Sequence, residues 1–119
     1  MVINKLKERL SSLDPGMKRA SLVGSYGSMV MEGYYIPEED MDIDILSLYG
    51  ISREQFREEM DLRENSDISE MKEAVDRKIG PVEGHEVDTY LIFNDDMAEY
   101  YKMLQNNGQS VLIYERTEI

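Results

Sequence analysis

The chain has no cysteine and a single histidine. The missing cysteine excludes disulfides, thiolate metal sites and cysteine nucleophiles, and is consistent with a reducing compartment. Any bound metal must be held by oxygen ligands or by that one imidazole. Positive charge is also scarce, with 13 Lys and Arg against 25 Asp and Glu, for a formal charge of −12. Binding to a nucleic-acid backbone relies on Lys and Arg releasing counterions, so stable nucleic-acid binding is not expected, whereas a basic protein partner or a metal nucleotide is compatible. Long apolar runs are absent too. Met1 to Leu10 carries Lys5, Lys7, Glu8 and Arg9 where a signal peptide needs an apolar stretch, so a soluble, cytoplasmic protein with no membrane association is expected.

What remains is a chain of 119 residues without internal repeats, read as one domain over residues 1–119. A domain of this size buries roughly two thirds of its unfolded surface without staples. Its nine methionines are read mainly as core filling. Ile3, Leu6, Leu10 and Leu13 form the stripe of an amphipathic helix lying over the core, ending before a turn at Asp14-Pro15-Gly16. Arg19 to Val23 reads as a strand that breaks at Gly24-Ser25-Tyr26-Gly27-Ser28. Small residues there let backbone amides and the Ser25 and Ser28 hydroxyls come close to a phosphate. The cluster is neither a P-loop, lacking the Lys after its glycines, nor the dinucleotide fingerprint, lacking the third glycine.

Met29 to Asp40 is expected to be a loop, with one helical turn at most at Ser28 to Glu32, and with Tyr34 and Tyr35 packed against the domain edge. Met41 to Leu48 reads as the next strand. Side chains on a strand alternate with a rise of about 3.3 Å per residue, so Asp42 and Asp44 share a face while Ile43 and Ile45 point into the core. Two neighbouring carboxylates repel unless a cation lies between them, and a hard divalent ion such as Mg2+ relieves that repulsion. The spacing of Asp40, Asp42 and Asp44 does not make an EF-hand, because the positions needing Gly and Glu hold Ile45 and Ile51.

Ser52 with Gln55 has capping-box spacing ahead of a helix bearing Phe56 and Met60. Ile68, Met71, Val75 and Ile79 mark a further helix, stopped at Gly80-Pro81. His85 to Phe93 reads as a third strand, with Glu86, Asp88, Tyr90 and Ile92 on one face. Asp88, inside that strand, needs a partner or a metal, whereas His85 at its edge is read as ordinary surface. A last helix through Met97, Tyr100, Tyr101 and Leu104 and a short strand Val111 to Tyr114 complete the pattern. Helices alternating with strands predict an α/β (α+β) fold, a mixed β-sheet with helices packed on it.

The Gly24-Ser25 turn, the Asp42/Asp44 strand, Asp88 on a later strand, and the closing Asn107-Gly108 and Val111 to Glu115 occur in that order. Over about Lys18 to Glu115 this resembles the minimal nucleotidyltransferases of the DNA polymerase beta superfamily. The resemblance implies a nucleotidyltransferase-like fold. It implies that Asp42, Asp44 and Asp88 are catalytic and hold two Mg2+ ions (Mn2+ being the alternative), and that Gly24, Ser25 and Ser28 bind the triphosphate of ATP or another nucleoside triphosphate. A nucleoside monophosphate, AMP if the donor is ATP, then passes to a hydroxyl. It further implies an antitoxin role in which that hydroxyl is a tyrosine of a HEPN-type toxin partner. A small-molecule acceptor, or a degenerate module that neutralises its partner by contact alone, are the alternatives. Two departures stand out: family members commonly carry Arg after Gly-Ser where this chain has Tyr26 to Met29, and sixteen residues separate Ser25 from Asp42, more than is usual.

Overall fold

Beyond Asp44, the second strand runs Ile45-Leu46-Ser47-Leu48-Tyr49 with every residue buried. A strand apolar on both faces must be covered on both. The structure, a computed structural model describing residues 2–13 and 16–116, supplies that cover in an α+β arrangement. In chain order the described elements are α1 (Val2–Leu13), β1 (Met17–Val23), α2 (Gly24–Met31), β2 (Ile43–Tyr49), α3 (Arg53–Glu59), α4 (Ile68–Ile79), β3 (Val87–Ile92), α5 (Met97–Asn106) and β4 (Val111–Glu115). The sheet order is β3-β2-β1-β4. β1 pairs antiparallel with β2 and β4, and β2 pairs parallel with β3. A parallel pair requires a crossover, here made by α3 and α4.

Ile43, Ile45 and Tyr49 face the main core, shared with Val2, Leu6 and Leu10 of α1 and Met71, Val75 and Ile79 of α4. Leu46 and Leu48 face the other way, onto Val23, Ile92 and Tyr100 of α5. The helices begin where their caps stand: Ser52 accepts from Gln55 N at 3.1 Å, Asp67 from Glu70 N at 2.9 Å and Asp96 from Glu99 N at 3.1 Å. Each such cap contributes about 1 kcal/mol. No helix among the described residues is long and apolar enough to cross a membrane.

Four sequence expectations shift. Gly24 to Ser28 is the beginning of α2 rather than a loop, because Tyr26 and Val30 are buried against the sheet. Gly27 permits this approach, since a Cβ there would lie 2.8 Å from the Leu22 carbonyl oxygen. The acidic strand starts at Ile43, leaving Asp42 in the lead-in, and β3 starts at Val87, because His85 pairs with Val82 in a tight turn through Glu83 and Gly84, both at positive φ. Tyr34 and Tyr35 are exposed rather than packed on the domain edge. Asp14 and Pro15 of the expected turn lie outside the described residues.

Candidate functional site

The parallel ladder sets Asp44 of β2 directly beside Asp88 of β3. Asp44 shares its sheet face with Leu46 and Leu48, and Asp88 shares the same face with Ile92. The two residues therefore sit side by side at one end of the sheet. On the other flank Val23 of β1 pairs with Asp44, so the chain enters α2 at Gly24 right beside that carboxylate. Gly24 has φ +69°, and a Cβ there would fall 2.6 Å from Asp44 Oδ2. Only glycine lets the backbone come this near.

The first amides of a helix have no intrahelical acceptors. In α2 the capping position is Val23, whose side chain accepts from none of them, and the positive end of the helix dipole lies beside Asp44. Ser25 is exposed in this first turn and Ser28 half-buried one turn later. The sequence-read phosphate cluster thus stands next to the acidic strand, as the start of a helix.

Asp42 is positioned by its neighbours. The Met41 carbonyl lies 2.8 Å from Nδ1 of His85, and Ile43 N donates to Glu86 O at 2.8 Å. Upstream, the Tyr26 hydroxyl donates to the Tyr35 carbonyl at 2.5 Å, tying the loop between α2 and β2 back to the helix. Asp42 consequently lines two cavities. One, of about 380 Å³, includes Ser25, Glu38, Asp40 and Asp44, and the other, of about 420 Å³, includes Asp76, Arg77, Glu86 and Asp88.

Burial raises the Asp44 carboxyl above its ordinary 3.8, the nearby charge of Asp42 raises it further, and Lys72 opposes the shift. Lys72, on α4, forms an ion pair with Asp88 and another with Asp76 at 2.9 Å. Asp76 Oδ1 in turn accepts from Thr89 N at 3.0 Å and from Thr89 Oγ1 at 2.6 Å. The partners that Asp88 finds are thus an ammonium on Oδ1 and, at 3.3 Å, the Tyr90 hydroxyl donating to Oδ2. Lys72, Asp76 and His85 were not singled out from the sequence as site residues. The four-residue spacing of Lys72 and Asp76 was visible, but their reach around the edge strand was not.

In type the donors suit a hard divalent cation: oxygen only, with Asp44 and Asp88 on one sheet face and Asp42 in the lead-in to β2, and with Asp44 carrying an electrostatic penalty that a cation relieves. Among the described residues no three such side chains already stand in ligating arrangement. Asp88 is turned to Lys72 instead. The oxygen chemistry suits such an ion, but the side chains as they stand do not form a site for it. Comparison of the chain with protein-family models, curated proteins and solved structures finds no match.

Proposed function

We propose that this chain is a metal-dependent nucleotidyltransferase that moves a nucleoside monophosphate, AMP from ATP in the first instance, onto a hydroxyl: the hydroxyl oxygen bonds the α-phosphorus as the bond to the β-phosphate breaks, pyrophosphate leaves and the hydroxyl proton passes to solvent. The observation that carries the reading is the in-register placement of Asp44 beside Asp88, with the uncapped start of α2 adjoining Asp44 at Gly24. Asp42, Asp44 and Asp88 are the residues to hold Mg2+ or Mn2+. When bound, such ions neutralise the phosphates and make the acceptor oxygen a better nucleophile. The amides of α2 and the Ser25 hydroxyl orient the triphosphate, with Ser28 one turn behind. Asp88, which lines the larger cavity, is the residue we assign to activating the acceptor hydroxyl.

The acceptor we favour is a tyrosine of a HEPN-type toxin in the cytoplasm, since a charge of −12 suits a basic protein and opposes a nucleic-acid acceptor. One observation supports a second reading, a module that neutralises its partner by contact alone: Met31, Tyr34, Tyr35 and Ile36, at the end of α2 and in the segment that leads to β2, are all exposed.

Calorimetric titration of ATP, with and without Mg2+, into wild type and Asp44→Ala tests the proposal. Mg2+-dependent binding lost in the variant is the expected result. Absence of binding to any nucleoside triphosphate by the wild type would overturn it and leave the contact module.

A further inference from the structure

Among the exposed large apolar side chains of the described residues, Met31, Tyr34, Tyr35 and Ile36 fall within one short segment, with Ile36 83% and Tyr34 64% exposed. Single exposed apolar residues are ordinary on a protein surface, but such a concentration marks a contact. The segment is also held in place. Tyr34 N donates to Met29 O at 2.9 Å, Gly33 N donates to Val30 O at 3.0 Å, and the hydroxyl of the buried Tyr26 donates to the Tyr35 carbonyl at 2.5 Å. Pro37, just beyond, is buried. The four side chains are thus displayed from a backbone tied to α2, so little ordering cost attends their contact with a partner.

The charge of this stretch of chain is all of one sign. Between Arg19 and Arg53 the sequence has no Lys, Arg or His and carries Glu32, Glu38, Glu39, Asp40, Asp42 and Asp44, half of the formal charge of −12. Acids elsewhere in the fold find cations within the chain, as Glu83 does on Lys5 and Asp95 on Lys18. Among the described residues Glu32, Glu38, Glu39 and Asp40 enter no ion pair. We propose that residues 31–40 are a docking segment for a basic, amphipathic stretch of a protein partner. Its apolar side chains cover Met31, Tyr34, Tyr35 and Ile36 while its Lys and Arg side chains meet Glu32, Glu38, Glu39 and Asp40. The inference rests on the reading that the chain has a basic protein partner, and not on the transfer chemistry. Charge selects among occupants: a second copy brings the same acidic segment, and nucleic acid or an anionic lipid surface is repelled as well. Tyr and Met beside acidic residues match an interface whose apolar centre is bordered by polar groups, and opposite charge on the partner steers and aligns it.

The probe is a synthetic amphipathic helix with Leu on one face and Lys on the other, titrated into the full chain and followed by fluorescence anisotropy. A helix of the same pattern with Glu in place of Lys is the comparison. The wild type should bind the Leu/Lys helix, with an affinity that falls as salt is raised, and should leave the Leu/Glu helix unbound. Tyr34→Ser with Ile36→Ser, both at exposed positions, should bind about tenfold more weakly. Glu38→Gln with Glu39→Gln should bind about threefold more weakly. Glu54→Gln with Glu58→Gln, which removes as much charge from exposed positions of α3, should match wild type. Equal binding by wild type and by both segment variants would reduce the attraction to diffuse charge, overturning the docking segment and leaving the basic-partner reading in place. Binding of the Leu/Glu helix as tight as that of the Leu/Lys helix would overturn the assignment of a basic occupant. A dimer in sedimentation velocity that Tyr34→Ser with Ile36→Ser abolishes would make a second copy the occupant and overturn the proposal. No binding of the Leu/Lys helix by wild type would remove both the segment and the basic-partner reading beneath it, with the ATP titration untouched.

Discussion

Gly24 and Asp44 approach so closely that a methyl group on Gly24 would stand 2.6 Å from Asp44 Oδ2, and the glycine adopts φ +69°, a region that side chains disfavour. Gly24→Ala therefore meets two penalties at once. It should destabilise the fold by about 1–3 kcal/mol from the backbone conformation alone. It should also push the Asp44 carboxylate out of line with Asp88. Urea unfolding and Mg2+-dependent ATP titration on the same variant measure the two effects, and a variant that matched wild type in both would show that the close approach has no consequence.

Asp76 protects the outer edge of the sheet. β3 is the end strand, and the amide of Thr89 that would otherwise face a neighbouring chain is bonded to the Asp76 carboxylate. Asp76→Ala should cost about 2 kcal/mol, the scale of losing a hydrogen bond to a charged group. It should also bare an edge amide that promotes strand pairing between molecules. Asp76→Asn, which retains an acceptor, should lose less. Urea midpoints and sedimentation velocity separate the two effects, and equal losses in both variants would mean that the carboxylate charge, rather than the acceptor, matters.

Much of this was readable from local pattern. Ser52 with Gln55 marked the start of α3, the Ile68 to Ile79 stripe and Gly80 bounded α4, and the period-two alternation placed Asp44 opposite Ile43 and Ile45, and Asp88 opposite Val87 and Thr89, on their strands. The pairing of Asp44 with Asp88 was not readable, because a parallel register is a non-local property fixed by the α3–α4 crossover. Gly24 to Met31 was misread for a different reason. Two glycines and two serines in five residues argue against a helix, yet burial of Tyr26 and Val30 against the sheet overrides local propensity. Lys72 looked like one more charge on a solvated helix face, and only its reach to Asp88 distinguishes it.

On the opposite face of the sheet from α1 and α4, the hydroxyls of Ser21 and Tyr100 lie 2.6 Å apart, both buried, and hold α5 to β1. Burial raises the Tyr100 phenol above its ordinary 10.0, so it stays neutral at physiological pH. Either single change, Ser21→Ala or Tyr100→Phe, removes one member and should cost about 1–3 kcal/mol by leaving the other hydroxyl under-satisfied. The double variant should cost less than the sum. A double-mutant cycle in urea measures the coupling, and strict additivity would show that the two hydroxyls act independently.

Asp44 gives the site a pH signature of defined sign. Its carboxyl is raised above 3.8 by burial and by Asp42, with Lys72 only partly compensating. The folded state thus binds a proton more tightly than the unfolded chain. Stability from this group is fully present below the unfolded value and is lost as pH rises through the folded one, so at neutral pH the ionised Asp44 works against the fold. Asp44→Asn removes that charge. The variant should melt above wild type at pH 7, and the difference should shrink to nothing below about pH 3.8, where Asp44 is protonated in both states. Mg2+ should raise the melting temperature of the wild type at pH 7 and leave that of the variant unchanged, since a ligand stabilises only the state that binds it. A variant that melted below wild type at pH 7 would mean that Asp44 is held by favourable partners instead, and the electrostatic motive for a cation at this face would be gone.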